Sequence, residues 1–260
     1  MKSTKDPKHT LLELVTHIAV IHPELLPAIE KIIFASQKGQ LSDANVLFSL
    51  NNKLLLKSKS QLRQDLFVLS ELNYKRGGFF VEFGATNGID LSNTFLLETT
   101  FEWKGILAEP AVRWHADLVR NRKALIDKRC VWSASNESIL FNETDAAELS
   151  TIHAMSGSDL HAEARKRGRV YPVETVSLMD LLAEHGAPAE IDYLSIDTEG
   201  SEYDILQGFD FERYRFKVIT CEHNYTPMRN KLGALLVKNG YKRKHEKLSL
   251  FDDWWVFEGL

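Results

Sequence analysis

The chain has 260 residues, of which 44% are hydrophobic and 26% are charged, and these proportions are ordinary for a globular protein. They exclude a disulfide-stapled miniprotein, a collagen-like fibre and a largely disordered chain. The formal net charge of −4 provides no basic field that would attract nucleic acid. No apolar run approaches the roughly 20 residues that span a bilayer, and the basic N-terminus lacks a secretory cleavage site. We therefore expect a cytoplasmic protein with no nucleic-acid partner and no membrane span.

Residues 1–60 predict an N-terminal helical extension. Apolar residues recur at helical spacing from Leu11 to Ile21 and again from Leu26 to Phe34, with Pro23 between the two sets. A stretch rich in lysine and serine at 57–60 predicts a linker between this extension and the rest of the chain. We expect these helices to serve packing or homo-oligomerisation, with a lid over a substrate site as the alternative.

Residues 61–260 alternate short apolar runs with helical patterns, which predicts an α/β domain with a mostly parallel sheet covered by helices. The predicted strands lie at 79–83, 105–108, 124–132, 191–196 and 216–221. The predicted helices lie at 91–102, 110–121, 176–185, 201–208 and 227–239. Two further strands, 242–245 and 254–258, have no helix between them, so they predict an antiparallel hairpin at the end of the sheet.

The first predicted strand runs into a loop bracketed by Gly84 and Gly88. A strand, a glycine-bracketed loop and a helix together are typical of a nucleotide-binding turn, because glycine lets the backbone approach a ligand closely. The Gly-x-x-x-Gly spacing differs from that of dinucleotide sites, and Glu82 at the strand end would repel a pyrophosphate but suit an ammonium group. The loop therefore favours S-adenosylmethionine over NAD or ATP, with a purely structural turn as the alternative.

The second strand leads into Glu109, about 20 residues beyond the glycine loop. A carboxylate at this offset can accept hydrogen bonds from both hydroxyls of a ribose. NAD-binding proteins share this feature, so Glu109 predicts a nucleoside cofactor without specifying which one.

Carboxylates also follow two later strands. Asp197 and Glu199 come after the strand at 191–196, and their spacing in an extended chain would let both reach one hydroxyl or one divalent cation. A helix cap is the alternative role. The next strand is followed by Glu222, His223 and Asn224. Glu222 and Asn224 offer oxygen ligands, and His223 is a candidate general base. The alternative for His223 is a structural role at the strand end.

These segments together resemble the FkbM family of S-adenosylmethionine-dependent methyltransferases, in family order and at family-like spacing across residues 61–260. The matching segments are Gln64-Asp65, Phe80-Val81-Glu82-Phe83-Gly84-Ala85, Ser92-Asn93-Thr94, Trp103-Lys104-Gly105, Glu109-Pro110, Leu194-Ser195-Ile196-Asp197-Thr198-Glu199-Gly200 and Glu222-His223-Asn224. The resemblance implies a Rossmann-like class I methyltransferase fold, with a seven-stranded sheet whose last strand is reversed. It also implies O-methylation, commonly of sugar or polyketide-type hydroxyls.

The resemblance also implies roles for individual residues. The cofactor would be bound by the glycine loop, by the start of the following helix, by Glu109 at the ribose and by Asp197 near the methionine end. The loop and helix residues are Glu82, Gly84, Ala85, Asn87, Gly88, Ser92 and Asn93.

We predict an O-methyltransferase that acts on a sugar, glycan or related polyhydroxylated acceptor. The protein must hold the hydroxyl in line with the sulfonium methyl group and remove its proton. The candidates for that deprotonation are Asp197, Glu199, Glu222 and His223. A Mg²⁺ or Ca²⁺ ion held by Asp197, Glu222 and Asn224 would assist by lowering the pKa of the hydroxyl, and we favour this version. The alternatives are a small phenolic, polyketide or lipid acceptor, or a non-catalytic binding protein.

Two polar segments carry open alternatives. Residues 145–158 would either fold over the site and contact the acceptor through Ser150, Thr151 or His153, or form an ordinary surface loop. The basic run at 164–169 would either end a solvated helix or recognise a phosphate on the acceptor.

Overall fold

The computed structural model describes residues 54, 57–145, 149–157, 162–246 and 249–259. The predicted helices between residues 10 and 50 lie outside these ranges. The N-terminal extension, its boundary near residue 60 and its role in oligomerisation therefore stay predictions.

Strands and helices alternate along most of the described chain. The strands are β1 (Phe79–Phe83), β2 (Lys104–Ala108), β3 (Leu125–Asp127), β4 (Cys130–Trp132), β5 (Ser138–Glu143), β6 (Thr151–Ile152), β7 (Arg169–Ser177), β8 (Glu190–Ile196), β9 (Arg215–Glu222), β10 (Tyr241–Lys244) and β11 (Asp252–Phe257). The α-helices are α1 (Gln64–Glu71), α2 (Phe95–Phe101), α3 (His115–Asn121), α4 (Ala162–Arg165), α5 (Leu178–Glu184), α6 (Glu202–Leu206) and α7 (Met228–Lys238).

The main sheet has seven strands in the order β10-β11-β9-β8-β1-β2-β3. Strand β11 is antiparallel to both of its neighbours, and the other pairs are parallel. The predicted fold class, a mostly parallel α/β sheet with a reversed last strand, is confirmed. The central strands β1 and β8 are near-continuous apolar runs because both of their faces are buried.

The register of β1 and β8 determines which side chains meet at the functional edge of the sheet. Glu82 pairs with Ser195 and Phe83 with Ile196, so the residues that follow, Gly84 and Asp197, emerge side by side. In open α/β sheets, ligands bind outside the carboxyl ends of the strands. The sheet therefore brings the glycine loop and the first of the clustered carboxylates to one place.

The prediction of one strand over 124–132 is wrong, because the chain turns at Asp127. The Asp127 carboxylate accepts hydrogen bonds from the backbone and guanidinium of Arg129 and lies 3.0 Å from His185 Nε2. Strand β3 ends in the main sheet before this turn, and β4 begins a second sheet after it. That four-stranded sheet, in the order β4-β7-β5-β6, is absent from the sequence prediction.

Apolar side chains on both sides of the main sheet form the core. Helices α5, α6 and α7 contribute buried leucine and isoleucine to one cluster with β1, β8 and β9. The ring of Phe67 in α1 stacks on the buried ring of Trp254, with centroids 4.7 Å apart. Among the described helices, none has both the length and the apolarity needed to cross a bilayer.

Candidate functional site

A cleft opens at the carboxyl ends of β1, β2 and β8. Five residues predicted for the cofactor lie in its wall: Glu82, Gly84, Asn93, Glu109 and Asp197. The remaining wall includes residues with no sequence prediction, among them Cys130, Val131 and Phe141 from the second sheet.

Glu82 is 3% exposed, and its carboxylate is held by the start of the following helix. It accepts hydrogen bonds from the backbone N–H of Asn93 at 2.7 Å and from the hydroxyls of Ser92 and Thr94. The Ser92 hydroxyl and the Asn93 backbone therefore serve an internal carboxylate, whereas the sequence predicted that they would meet the cofactor. The Asn93 side chain does reach the cleft.

A buried arginine lies behind Glu82, and no spacing in the sequence pointed to it. The guanidinium of Arg122 is 2.9 Å from Glu98 and 3.7 Å from Glu82, and it donates to the carbonyl of Gly88. It also lies 5.5 Å from the ring centroid of Phe80. Because a buried carboxylate is costly without a partner, Arg122 explains how Glu82 remains at the floor of the cleft.

Glu109 is buried between two backbone donors. Its two carboxylate oxygens accept from the N–H groups of Thr86 and Ala111, each at 2.8 Å. Burial raises the pKa of Glu109 to about 7, and the nearby charges of Glu143 and Asp197 act in the same direction. These hydrogen bonds hold the carboxyl group of Glu109 at the carboxyl end of β2, where it lines the cleft.

Both glycines of the glycine loop lie so close to other protein atoms that a Cβ would clash with them. Gly84 has φ of 74°, and a Cβ there would overlap the carbonyl oxygen of Asp197. A Cβ on Gly88 would meet Leu118 and Arg122 instead of the cleft. Asn87 closes its own turn by bonding Ile89 and Asp90. Neither Asn87, Gly88 nor Ala85 is part of the cleft wall formed by the described residues.

Three carboxylates meet beside the cleft. Asp197, Glu199 and Glu222 each offer an oxygen within 4.8 Å of the others. The carboxyl groups of Glu222 and Asp197 are hydrogen-bonded to each other. Burial raises the pKa of Glu222 well above its usual value, and the neighbouring charges of Asp197 and Glu199 raise it further. The protonated form of Glu222 is therefore favoured, and its hydrogen bond to Asp197 joins the two carboxyl groups.

Glu199 reaches this cluster by a turn, so the predicted extended-strand geometry is wrong. Its φ is 58°, and β8 has already ended at Ile196. The buried guanidinium of Arg165 lies 2.8 Å from Glu199, which balances the carboxylate charge. Asn224 donates its amide N–H groups to Glu199 and Glu222, so it presents nitrogen to the cluster, whereas the predicted metal role requires its oxygen.

His223 faces away from this cluster. Successive side chains of a strand point to opposite faces, and the ring of His223 lies 3.8 Å from Asp253, while Glu222 points to the site. Its Nδ1 accepts from the backbone of Tyr225. Burial lowers the pKa of His223, although the charge of Asp253 opposes that shift. The structure therefore separates His223 from the other three candidates for the base.

The two polar segments take different positions. Ser150 lines the cleft, Thr151 donates to the carbonyls of Thr198 and Glu199, and His153 is exposed. Residues 146–148 and 158 lie outside the described residues, so contact with an acceptor stays a prediction.

Most of the basic residues in the run at 164–169 contact other side chains of the protein, and recognition of a phosphate on the acceptor stays a prediction. The buried member of the run, Arg165, is used by Glu199, and the exposed Lys166 pairs with Glu163. Arg169 lies over the ring of Tyr171, with 5.5 Å between its guanidinium and the ring centroid.

A family model described as the methyltransferase FkbM domain matches residues 82–257. Among solved structures, the chain is similar to precorrin-6y C5,15-methyltransferase from Geobacter metallireducens GS-15, with 10% identity and a TM-score of 0.41 over 74% of this chain and 85% of that one. It is also similar to an S-adenosylmethionine-dependent methyltransferase from Aquifex aeolicus, with 11% identity and a TM-score of 0.36 over 79% and 96% of the two chains. No curated protein matches. The family match confirms the resemblance predicted from the sequence.

Proposed function

The chain belongs to the FkbM methyltransferase domain family and is an S-adenosylmethionine-dependent methyltransferase, and from that premise we propose that it methylates a hydroxyl of a sugar or related polyhydroxylated acceptor. The observation that carries this proposal is the hydrogen-bonded carboxyl pair of Asp197 and Glu222 at the edge of the cleft. Hydroxyl methylation needs a group that removes a proton, and this pair is suited to that task.

The cleft suits a cationic cofactor. Among the residues that the structure describes, the lining of the cleft includes the carboxyl groups of Glu82, Glu109 and Asp197 and no lysine, arginine or histidine. When bound, S-adenosylmethionine supplies an electrophilic methyl group on a positively charged sulfur. In the proposed arrangement, Glu109 binds the ribose hydroxyls and Asn93 binds polar atoms of the amino-acid portion.

Asp197 removes the proton of the acceptor. As the acceptor oxygen gains the methyl group, its proton passes to the Asp197 carboxylate, which lies in the cleft wall. In this proposal the raised pKa of Glu222 favours its protonated form as the donor of the hydrogen bond to Asp197, which leaves the Asp197 carboxylate to accept the proton of the acceptor. Arg165 holds Glu199 in place as a positioning residue, because the Glu199 charge keeps the pKa of Glu222 high.

The same cluster fits a hard cation in the chemistry of its donors. Carboxylate oxygens are the ligands that Mg²⁺ and Ca²⁺ prefer, and Asp197, Glu199 and Glu222 would hold the ion, which would take the place of the proton on Glu222. It would supply a Lewis acid that lowers the pKa of the acceptor hydroxyl. EDTA treatment tests this part of the proposal. Activity lost in EDTA and restored by Mg²⁺ or Ca²⁺ supports the ion, and full activity in EDTA contradicts it.

Calorimetric titration with S-adenosylhomocysteine, paired with a methyl-transfer assay, tests the function. Asp197→Asn should retain binding of S-adenosylhomocysteine and lose about 10²- to 10⁴-fold in transfer rate, as expected for a lost general base. Asp204→Asn in α6 makes the same chemical change outside the cleft and should leave both unchanged. Binding without transfer to any acceptor would favour a non-catalytic role, and equal rates for wild type and Asp197→Asn would contradict the proposed base.

A further inference from the structure

The segment before α1 reaches the wall of the cofactor cleft, although it lies outside the part of the chain that the family model matches. That match begins at residue 82. Ser60 is nevertheless 1% exposed, and it pairs with Leu91 in an isolated parallel bridge. Leu91 lines the cleft, and so does Asn93. Ser60 therefore lies beside the cleft wall at the start of the second helix.

We infer that Ser60 is a positioning residue for the cofactor, because its hydroxyl holds the side chain of Asn93 in the orientation that binds S-adenosylmethionine. The inference rests on the proposed function, since it takes Asn93 as a ligand of the amino-acid portion of the cofactor. Ser60 itself is not among the described residues that line the cleft, so it acts through Asn93.

Asn93 is held at its backbone and at both ends of its side-chain amide. Its backbone N–H donates to Glu82 at 2.7 Å. Its Nδ2 donates to Ser195 Oγ at 2.9 Å, and its Oδ1 accepts from Ser60 Oγ at 2.6 Å. The amide carries two N–H groups, so the hydrogen bond to Ser195 leaves one N–H for a ligand in the cleft.

The single hydrogen of the Ser60 hydroxyl has two amide oxygens within reach, that of Asn93 and that of Gln64. Gln64 Oε1 also accepts from the backbone N–H of Leu62 at 2.9 Å. For Asn93 Oδ1, Ser60 is the donor that the described residues provide. Donation to Asn93 therefore leaves neither buried oxygen without a donor, which would cost free energy. The backbone N–H of Gln64 donates to Ser60 Oγ at 2.8 Å and holds the hydroxyl in place.

The hydroxyl determines which end of the Asn93 amide faces the cleft. The last side-chain torsion of asparagine has broad minima, so an amide that loses its partner at Oδ1 can turn and present its oxygen instead of an N–H. The free N–H suits an acceptor atom such as the carboxylate of the cofactor, whereas an amide oxygen would repel that carboxylate. We therefore expect cofactor affinity to depend on Ser60.

Calorimetric titration of the full chain with S-adenosylhomocysteine tests the inference. Ser60→Ala keeps the backbone that pairs with Leu91 and removes only the hydroxyl. It should weaken binding about fivefold, as expected for one lost hydrogen bond. Ser58→Ala is the matched control, because the Ser58 hydroxyl is also buried in this segment but donates to Asp65 at 2.7 Å. Ser58→Ala should leave the affinity unchanged.

A double-mutant cycle distinguishes positioning from a general loss of structure. Asn93→Ala should weaken S-adenosylhomocysteine binding by itself. In that background Ser60→Ala should add no further loss, because the hydroxyl has no amide left to hold. NMR of the side-chain amide of Asn93, assigned by its disappearance in Asn93→Ala, provides a spectroscopic readout. Its resonances should shift in Ser60→Ala and stay in place in Ser58→Ala.

The outcomes separate this inference from the proposed function. Equal affinity of wild type and Ser60→Ala would overturn the inference, and so would an equal loss in Ser58→Ala or an undiminished loss in the Asn93→Ala background. If Asn93→Ala binds as tightly as wild type, the inference is wrong and the methyltransferase remains. Should Ser60→Ala fail to fold, Ser60→Cys, which replaces the hydroxyl by a weak donor of similar shape, carries the same test. Failure of wild type to bind S-adenosylhomocysteine would overturn both proposals.

Discussion

Asp252→Asn should change how the stability of the protein depends on pH. The carboxyl group of Asp252 is fully buried, and its pKa rises from 3.8 to about 8 on folding because burial penalises its charged form. Between these two values the folded state holds a proton that the unfolded state has lost. The free energy of unfolding therefore falls as pH rises through this window.

The expected size follows from the width of the pH interval. One pH unit within the window is worth about 1.36 kcal/mol, so wild type should lose about 2.7 kcal/mol through Asp252 between about pH 5 and about pH 7. Asn cannot ionise, and the variant lacks this loss. The stability of Asp252→Asn relative to wild type should therefore rise by about 2.7 kcal/mol over the same interval. Asp65 and Glu109 also have raised pKa values of about 7, but their contributions are common to both proteins and cancel.

Urea denaturation at three pH values measures the difference directly. Asp192→Asn provides a control on another buried aspartate of the same sheet. Although burial opposes the shift, hydrogen bonds from Lys75 and Lys217 lower the pKa of Asp192. It is ionised in both the folded and the unfolded state above about pH 5, so the effect of Asp192→Asn should stay constant. Parallel pH profiles for wild type and Asp252→Asn would refute the reasoning.

Three further predictions concern single contacts of the site. Glu109→Ala should weaken S-adenosylhomocysteine binding by about 10- to 100-fold, the value of hydrogen bonds to a charged group; unchanged affinity by calorimetry would remove Glu109 from the ribose role. Arg165→Met should lower the free energy of unfolding by about 3–5 kcal/mol because it strands the buried charge of Glu199, and adding Glu199→Gln should restore much of it in denaturant titrations. Gly84→Ala should destabilise the protein well beyond Gly186→Ala, because both positions have positive φ but only Gly84 would overlap Asp197; equal melting temperatures would contradict this.

The sheet and the glycine loop were predictable because the sequence patterns that indicate them lie within short segments of the chain. Apolar runs such as that of β1, followed by glycine and then a helical pattern, indicate a parallel sheet without knowledge of distant contacts. The sequence also placed Asp197 and Glu222 at neighbouring strand ends, since sequential parallel strands usually lie close together. The structure bears out this juxtaposition.

The missing parts depend on contacts between residues far apart in the chain. Gln64 and Asp252 are 188 positions apart, and no pattern near either residue indicates the other. Arg122 and Arg165 are buried because each pairs with a buried carboxylate. Arginine is usually exposed, so the sequence alone predicts a surface position for both. The second sheet was missed because its strands β5 and β7 are only partly buried and lack the continuous apolar runs that mark a buried strand.

Transfer of a carbon-13-labelled methyl group from S-adenosylmethionine, followed by NMR of the product, tests the central claim most directly. The proton-accepting pair of Asp197 and Glu222 predicts that the label appears as an O-methyl group on a sugar or related polyhydroxylated acceptor, and that the rate of its transfer falls about 10²- to 10⁴-fold with Asp197→Asn. Label on nitrogen or carbon, or equal O-methyl yield from Asp197→Asn, would contradict the account.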